Sequence, residues 1–206
     1  MKDIKCIIIG RTNVGKTLFA INFSNYLGCK KINLESIYFD NSRTNKTFTR
    51  KEAILQLTDK EPHKTRCLNK FQVTIPVGKK KRQIAIVDST GIIDNIHPEP
   101  DIRKAISQTL SIIKESKIVL HIIDVSAMLN KKTISSLGEV DYHIASFCQM
   151  KTGYAILANK IDILGSEVGL KKLRSEFPGN YILPISALHK RGFKEVKNFV
   201  VRNAQL

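Results

Sequence analysis

Continuous β-branched residues near the start of the chain predict a strand that is buried on both faces. Residues Ile4 to Ile9 read IKCIII and lack the polar alternation of a half-exposed strand. A loop of eight residues, Gly10 to Thr17, follows. From Leu18 to Leu27 the apolar residues recur at helical spacing, and Gly28 is a suitable helix stop. The chain therefore begins with a predicted strand, loop and helix.

The stretch from residue 29 to about residue 64 shows the least regular pattern in the chain. It is rich in Asn, Thr, Lys and Arg and has few large apolar clusters, so we predict a long connection of the kind that is usually functional or mobile. Within it, Thr49 to Leu57 suits a short helix, with Thr49 as the cap and Glu52 three residues later. Regular structure resumes with two predicted strands, Leu68–Val77 and Gln83–Val87, joined by a turn at Gly78–Arg82.

Strands and helices alternate through the remaining sequence. We predict helices at Asp101–Ser116, Ser135–Met150, Ser166–Phe177 and His189–Val201, and strands at Ile118–Ile123, Tyr154–Ala158 and Tyr181–Ile185. This alternation is typical of a parallel sheet covered on both faces. We therefore expect an α/β fold with a mostly parallel six-stranded sheet, one antiparallel edge strand and helices on both faces.

Length and composition favour one globular domain. The 206 residues are 42% hydrophobic and 25% charged, which suits a folded core. We expect a single domain over residues 1–206, with the long insertion at about 29–64. No apolar run approaches 18 residues, so no transmembrane segment is predicted. Four cysteines lie scattered without metal-ligand spacing, and we expect a cytoplasmic protein.

The chain carries a formal net charge of +16. Such a charge favours polyanionic partners, either RNA or an anionic membrane surface. Four cations at 79–82 form the predicted hairpin tip, and lysine pairs lie at 30–31, 131–132 and 171–172. Each run fits contact with RNA phosphates or, equally, a solvated surface. No aromatic residue interleaves these runs, so stacking on single strands is not indicated.

The loop Gly10-Arg11-Thr12-Asn13-Val14-Gly15-Lys16-Thr17 matches the phosphate-binding pattern Gly-x4-Gly-Lys-Ser/Thr. Glycines let the backbone wrap closely around phosphate, and the following helix adds the positive end of its dipole. Lys16 would reach the β- and γ-phosphates, and the Thr17 hydroxyl would bind Mg²⁺. Because the loop follows a buried strand and opens a helix, the pattern predicts a P-loop NTPase.

A second motif, Asn159-Lys160-Ile161-Asp162, follows a predicted strand and indicates guanine. The Asp162 carboxylate can accept hydrogen bonds from N1–H and the exocyclic amine of guanine, a donor pair that adenine lacks. The stem of Lys160 can lie over the base, and Asn159 can brace the nucleotide loop. After the last predicted strand, Ser186-Ala187-Leu188 offers backbone N–H groups to the guanine carbonyl.

The order of these motifs resembles the TRAFAC-class P-loop small GTPases, above all the Era-like branch with Era, Der and the G domain of MnmE. The resemblance covers nearly the whole chain, and Asn13 is typical of the branch. Thr65 resembles the switch I threonine, with Thr47, Thr49 and Thr58 as rivals. The sequence Asp88-Ser89-Thr90-Gly91 matches the Asp-x-x-Gly of switch II.

The resemblance implies Mg²⁺ bound by Thr17, Thr65 and Asp88, and catalytic roles for Lys16, Thr65 and Gly91, whose N–H would meet the γ-phosphate. Ile92 stands where Ras-like enzymes place a glutamine. We therefore expect a slow intrinsic rate, or water positioned by another group. His63 and His97 lie in the two switches, without an assigned role.

Asn13 also occupies the position of an asparagine that holds K⁺ in some relatives, in place of an arginine finger. K⁺-stimulated hydrolysis is the resulting hypothesis.

Taken together, the resemblance implies a molecular switch that hydrolyses GTP to GDP and phosphate, with the ribosome or RNA as candidate partners. The alternative is a GTP-dependent binding or regulatory module with negligible turnover that acts on a protein or membrane complex. No segment like the RNA-binding domain of Era or the second GTPase domain of Der is recognised in the sequence. We therefore expect any surface for an unknown protein effector to lie on the G domain, with switch I and its insertion as the leading candidate.

Overall fold

The centre of the molecule is a single mixed β-sheet. The structure, a computed structural model, describes residues 4–38, 40, 42–58, 67–89, 110–129 and 137–205. The strands are β1 Ile4–Ile9, β2 Lys31–Ile37, β3 Arg43–Thr49, β4 Leu68–Val77, β5 Lys80–Asp88, β6 Ile118–Asp124, β7 Tyr154–Asn159 and β8 Ile182–Pro184. The helices are α1 Lys16–Tyr26, α2 Arg50–Leu57, α3 Glu139–Cys148, α4 Ser166–Glu176 and α5 Phe193–Gln205.

The described residues form eight strands in the order β3-β2-β4-β5-β1-β6-β7-β8. From β5 through β1, β6 and β7 to β8 the neighbours are parallel, whereas β5–β4, β4–β2 and β2–β3 are antiparallel pairs. The α/β class is confirmed, but the predictions of six strands and of one antiparallel edge strand are wrong. The difference arises because the segment after α1 contributes two further strands.

The strands β2 and β3 form a hairpin within the stretch expected to be irregular. Seven consecutive pairs join them, from Lys31 opposite Thr49 to Ile37 opposite Arg43. Only one face of this hairpin is buried, through residues such as Ile32, Leu34 and Phe48, so most of its positions are polar. The predicted helix after the hairpin is confirmed as α2 with its capping box, in which Thr49 and Glu52 bond each other's backbone N–H.

Helices cover both faces of the sheet, as predicted. On one face, Phe19 and Phe23 of α1 pack with Phe193 of α5. On the other face, α3 and α4 pack against the sheet together with the helical residues 110–115. Neighbouring residues Ile7 and Ile8 of β1 belong to opposite cores, which explains why this strand is apolar at successive positions.

Several element bounds differ from the predictions. The helix α5 begins at Phe193 rather than His189, because residues 187–192 form a turn in which Lys190 and Gly192 have positive φ. The turn between β4 and β5 is confined to Gly78 and Lys79, so the other predicted turn cations lie in β5. The predicted helix 101–116 is seen only from residue 110 onward, since 90–109 lie outside the described residues.

A buried polar network ties the middle of the sheet to α3. His121 of β6 lies between the hydroxyl of Tyr154, 3.0 Å from Nδ1, and the carboxylate of Asp141, 3.1 Å from Nε2. The second oxygen of Asp141 accepts from the N–H of Gly138, the residue that caps α3. These bonds satisfy the buried polar groups and position the start of α3 on the sheet.

All four cysteines are free thiols. Among the described residues, no helix has both the length and the apolar character that crossing a bilayer requires.

Candidate functional site

The five parallel strands place their carboxyl ends at one edge of the sheet. The loop 10–17 leaves β1 there, and the residues Asp88, Asp124 and Asn159 end β5, β6 and β7. The loop 186–188 follows β8 at the same edge. Ligands of open α/β sheets bind outside these strand ends, so the topology brings the predicted motifs to one place.

The loop 10–17 closes so tightly that two of its positions require glycine. At Gly10, with φ of 143°, an added Cβ would lie 2.3 Å from the carbonyl oxygen of Ile122. At Gly15, with φ of 98°, an added Cβ would lie 2.6 Å from Nδ2 of Asn159. Both contacts are far shorter than a van der Waals separation, and both backbone conformations disfavour residues with side chains.

The start of α1 is suited to an anion. Gly15 caps the helix without a side-chain hydrogen bond, and the first turn contains no acidic residue. Lys16 is 7% exposed, and its ammonium donates to the carbonyl of Arg11 at 2.7 Å. Burial lowers the pKa of Lys16 to about 8, partly opposed by the charge of Asp88. A bound phosphate would favour the charged ammonium and accept from the N–H groups of the helix start.

Thr17 and Asp88 form the predicted metal-binding pair. The Thr17 hydroxyl donates to Oδ2 of Asp88 at 2.7 Å. The other oxygen, Oδ1, is buried without a hydrogen-bond partner among the described residues, and burial raises the pKa of this carboxyl to about 6.

These two residues fit Mg²⁺, which uses one or two protein oxygens together with water and substrate phosphates. In the described part of the chain, no group of three or more His, Cys, Asp or Glu could hold a metal by itself. The donor set therefore suits an ion that arrives with a phosphate ligand.

The side chain of Asn159 joins three loops of the site. Its Nδ2 donates to the carbonyl of Val14 at 2.8 Å, and its Oδ1 accepts from the N–H of Ala187 at 2.9 Å. The residue is buried, so both ends of its amide are satisfied by backbone groups. Asn159 thereby links the phosphate loop to the loop 186–188.

The next two polar residues of the motif are also held in place. Lys160 adopts φ of 69° and pairs with Oδ2 of Asp124 at 2.5 Å. A hydrogen bond from Ser186 lowers the pKa of Asp162, and the ring of His189 lies 3.9 Å from the same carboxylate. The carboxylate of Asp162 therefore stays ionised as an acceptor for two donors of a base.

Some of the predicted site residues lie outside the described part of the chain, and two others have exposed side chains. Thr65 and Gly91, together with Ile92 and the switch histidines His63 and His97, lie outside the described residues. Asn13 is exposed, with φ of 61°, a left-handed conformation that asparagine tolerates. The side chain of Leu188 is exposed too; since it carries no polar group, only the backbone of this residue could bind the base.

The sequence reasoning missed residues that hold the site from outside the motifs. Asp124, which anchors Lys160, also accepts from the N–H and hydroxyl of Ser126. Its place at the end of a predicted parallel strand was a usable signal. Asn22 donates to the carbonyl of Ala187 in the loop 186–188, and Arg50 donates to Asn22. No local pattern in the sequence marks these contacts.

Comparison with known families supports a nucleotide site. Residues 42–160, more than half of the chain, match the family model described as 50S ribosome-binding GTPase. The matched segment contains Asp88 and Asn159 and begins after the phosphate loop. The identification of that loop therefore rests on its own motif and geometry.

Curated relatives cover part of the chain. GTPase Obg of Akkermansia muciniphila is 28% identical over 119 residues, which are 57% of this chain and 33% of that protein. GTPase Obg of Acetivibrio thermocellus is 25% identical over 115 residues, which are 54% of this chain and 26% of that protein. The matched part thus spans a third or less of these relatives.

Solved structures share the fold. Era of Aquifex aeolicus bound to GDP·AlF4⁻ has a TM-score of 0.61 at 17% identity, over 98% of this chain and 57% of that chain. The FeoB G-domain of Methanococcus jannaschii has a TM-score of 0.56 at 19% identity and covers both chains completely. Era and FeoB, like Obg, are TRAFAC-class GTPases.

The contact between Gly15 and Asn159 provides a test of the phosphate loop. We expect Gly15→Ala to lower the affinity for GDP at least about tenfold, because the new Cβ would strike the Asn159 amide that holds the loop. Gly28→Ala is the matched control: Gly28 has a similar φ of 108° but open space around the added Cβ. Calorimetric titration of both variants with GDP is the measurement, and equal affinities would contradict this assignment.

Proposed function

The chain belongs to the family of 50S ribosome-binding GTPases, and we propose from that premise that it is a molecular switch that hydrolyses GTP to GDP and phosphate. One observation carries the proposal: the phosphate loop, Asp88 and the motif ending at Asp162 meet at a single sheet edge. Thr17 joins Asp88 to the phosphate loop, and Asn159 joins that loop to the loop 186–188.

The phosphate loop and Asp88 would bind the phosphates of the nucleotide and Mg²⁺. Lys16 and the N–H groups of loop 10–17 would bind the β- and γ-phosphates, while the oxygens of Thr17 and Asp88 would hold Mg²⁺. Mg²⁺, when bound with the nucleotide, supplies positive charge that offsets the charge on the phosphates. Catalytic positions for Lys16, Thr65 and Gly91, and metal binding by Thr65, are part of the proposal and follow from the motifs.

The opposite end of the site would bind the base and select guanine over adenine. Asp162 is an ionised carboxylate whose two oxygens suit N1–H and the exocyclic amine. The loop Ser186-Ala187-Leu188 would face the guanine carbonyl. The N–H of Ser186 already donates to the carbonyl of Arg191 and that of Ala187 to Asn159, so we propose the N–H of Leu188 as the donor to the base. Adenine would leave the carboxylate without its donors, which disfavours ATP strongly.

Nucleotide selection tests the base assignment. We expect the protein to bind GDP and GTP with Mg²⁺, and ATP in large excess to leave that binding unchanged. Asp162→Asn should lower GDP affinity about 100-fold, because an amide cannot accept two hydrogen bonds from the base as the carboxylate does. Glu167→Gln removes an exposed carboxylate at the start of the neighbouring helix α4 and serves as the control. Titration calorimetry with each nucleotide gives the affinities, and competition by ATP on equal terms would overturn the proposal.

Single-turnover hydrolysis of GTP in the same preparation separates the switch from its alternative. Slow but measurable formation of GDP supports hydrolysis as the function. Tight binding of GTP with no turnover, alone or with a partner, would instead support a GTP-dependent binding or regulatory module.

We also propose that K⁺ bound near Asn13 accelerates hydrolysis, because an additional cation would offset charge in the transition state. Turnover should then be about tenfold faster in KCl than in NaCl at equal ionic strength. Asn13→Gly should abolish the difference, since it removes the amide and tolerates the φ of 61° at this position. Equal rates in the two salts for the unaltered protein would exclude this role for K⁺.

We propose RNA, including that of the ribosome, as the macromolecular partner. The chain has a net charge of +16, and part of it comes from exposed cations at the β4–β5 turn, which could bind phosphates. A crystal structure of Era in complex with nucleotides 1506–1542 of 16S ribosomal RNA shows such a partner for that protein. A protein effector of the G domain remains a separate proposal.

Salt dependence tests the RNA proposal. Replacing Lys79 and Lys80 by Gln should weaken cosedimentation with ribosomes and lower the slope of log affinity against log salt by about 1–2. Gln at Lys171 and Lys172, an exposed pair on α4, removes the same charge elsewhere. If the variant at Lys79 and Lys80 sediments like the unaltered chain, with the same salt slope, the turn cations do not contact RNA.

A further inference from the structure

The helix α2 of the insertion is connected to the guanine-facing loop by hydrogen bonds through α1. Nε of Arg50, the first residue of α2, donates to Oδ1 of Asn22 at 2.7 Å. Nδ2 of the same Asn22 donates to the carbonyl of Ala187 at 2.7 Å. Two side chains thus span the distance from the insertion to the loop 186–188.

This path continues into the phosphate loop. The N–H of Ala187 donates to Asn159, and Asn159 donates to the carbonyl of Val14. Four consecutive hydrogen bonds, each of 2.7 to 2.9 Å, therefore join α2 to both nucleotide-binding loops. Three of these bonds are buried and the one from Arg50 is partly buried. Hydrogen bonds in such a chain polarise one another, so the loss of one weakens the next.

The chemistry of its two partners determines how the amide of Asn22 is oriented. A guanidinium only donates and a backbone carbonyl only accepts, so Oδ1 must face Arg50 and Nδ2 must face Ala187. Asn22 lies in α1 and is fully buried. Without Arg50, its oxygen would lose a charged donor inside the protein, and the orientation that supports the loop would no longer be enforced.

The position of Arg50 follows from the insertion. The capping box of Thr49 and Glu52 fixes the first turn of α2 directly after β3. Ala53 is fully buried, and Ile54 and Leu57 are partly buried against the core. The polar contact of Arg50 with α1 adds to this small apolar contact and holds the first turn of the helix. A shift of the hairpin or of α2 would therefore lengthen or break the hydrogen bond from Arg50 to Asn22.

We propose that Arg50 and Asn22 are positioning residues for the guanine-facing loop 186–188, through which the insertion sets the rate of nucleotide release. This role presupposes the guanine-nucleotide binding proposed above. In the intact chain the loop is held against Asn159 and nucleotide leaves slowly. When α2 moves away, the carbonyl of Ala187 loses its donor, the loop loosens and release accelerates.

The test is the dissociation rate of fluorescently labelled GDP from the full chain. We expect Arg50→Ala and Asn22→Ala each to speed release about tenfold, the effect of losing one charged or buried hydrogen bond. The double variant should be no faster than either single variant, since both changes break the same path. Lys51→Ala removes an equal charge from an exposed position of the same helix and should leave release unchanged.

Arg50→Lys keeps the charge and a donor but not the planar guanidinium, and should speed release about threefold. It also covers the case in which Arg50→Ala fails to fold. A purely structural role would lower the melting temperature of these variants without changing release from the folded fraction.

The two proposals fail in different ways. If the unaltered chain binds GDP and the Arg50 and Asn22 variants release it at the unaltered rate, the positioning role is wrong and nucleotide binding stands. If the unaltered chain binds no guanine nucleotide, the proposed function is wrong as well. Strictly additive effects of the two substitutions would show that Arg50 and Asn22 act separately.

Discussion

The amide of Asn159 is the interaction on which the rest of the site depends. It reaches the phosphate loop on one side and the loop 186–188 on the other, and its Nδ2 occupies the space that a side chain at Gly15 would need. A single buried amide thereby sets the spacing between two loops that would bind opposite ends of a nucleotide. Because both of its bonds go to backbone groups, the arrangement tolerates many loop sequences but only an asparagine-like side chain at this position.

The phosphate end of the site is electrostatically incomplete without a ligand. Lys16 and Asp88 are both buried, and burial alone shifts each pKa toward the neutral form. Oδ1 of Asp88 lacks a hydrogen-bond partner in the described part of the chain, an arrangement that proteins usually avoid. A phosphate beside the lysine and a cation beside the carboxylate would compensate the burial of both charges, which is the reason to place the phosphates and Mg²⁺ here.

The insertion distinguishes this chain from a minimal P-loop domain. Its hairpin extends the sheet to eight strands, and its helix contacts α1 through Arg50. A segment of this kind can act on the nucleotide from the base side as well as from the γ-phosphate side. That possibility follows from hydrogen bonds between residues far apart in the chain, Arg50, Asn22 and Ala187.

Local sequence was enough to predict the phosphate loop, the guanine motif, the α/β class and most elements. The two motifs are short contiguous stretches, and the elements show as β-branched runs, helical spacing and a capping box. The hairpin β2–β3 was missed because only one of its faces is buried and its strands are polar. The start of α5 was misplaced because residues 187–192 form a turn that apolar spacing does not reveal. The sequence by itself thus determined which groups are proposed to bind phosphate and guanine, since motif chemistry is local. Only the tertiary structure decided that Asn159, Asn22 and Arg50 connect them, since hydrogen bonds between distant segments depend on how the strands are ordered in space.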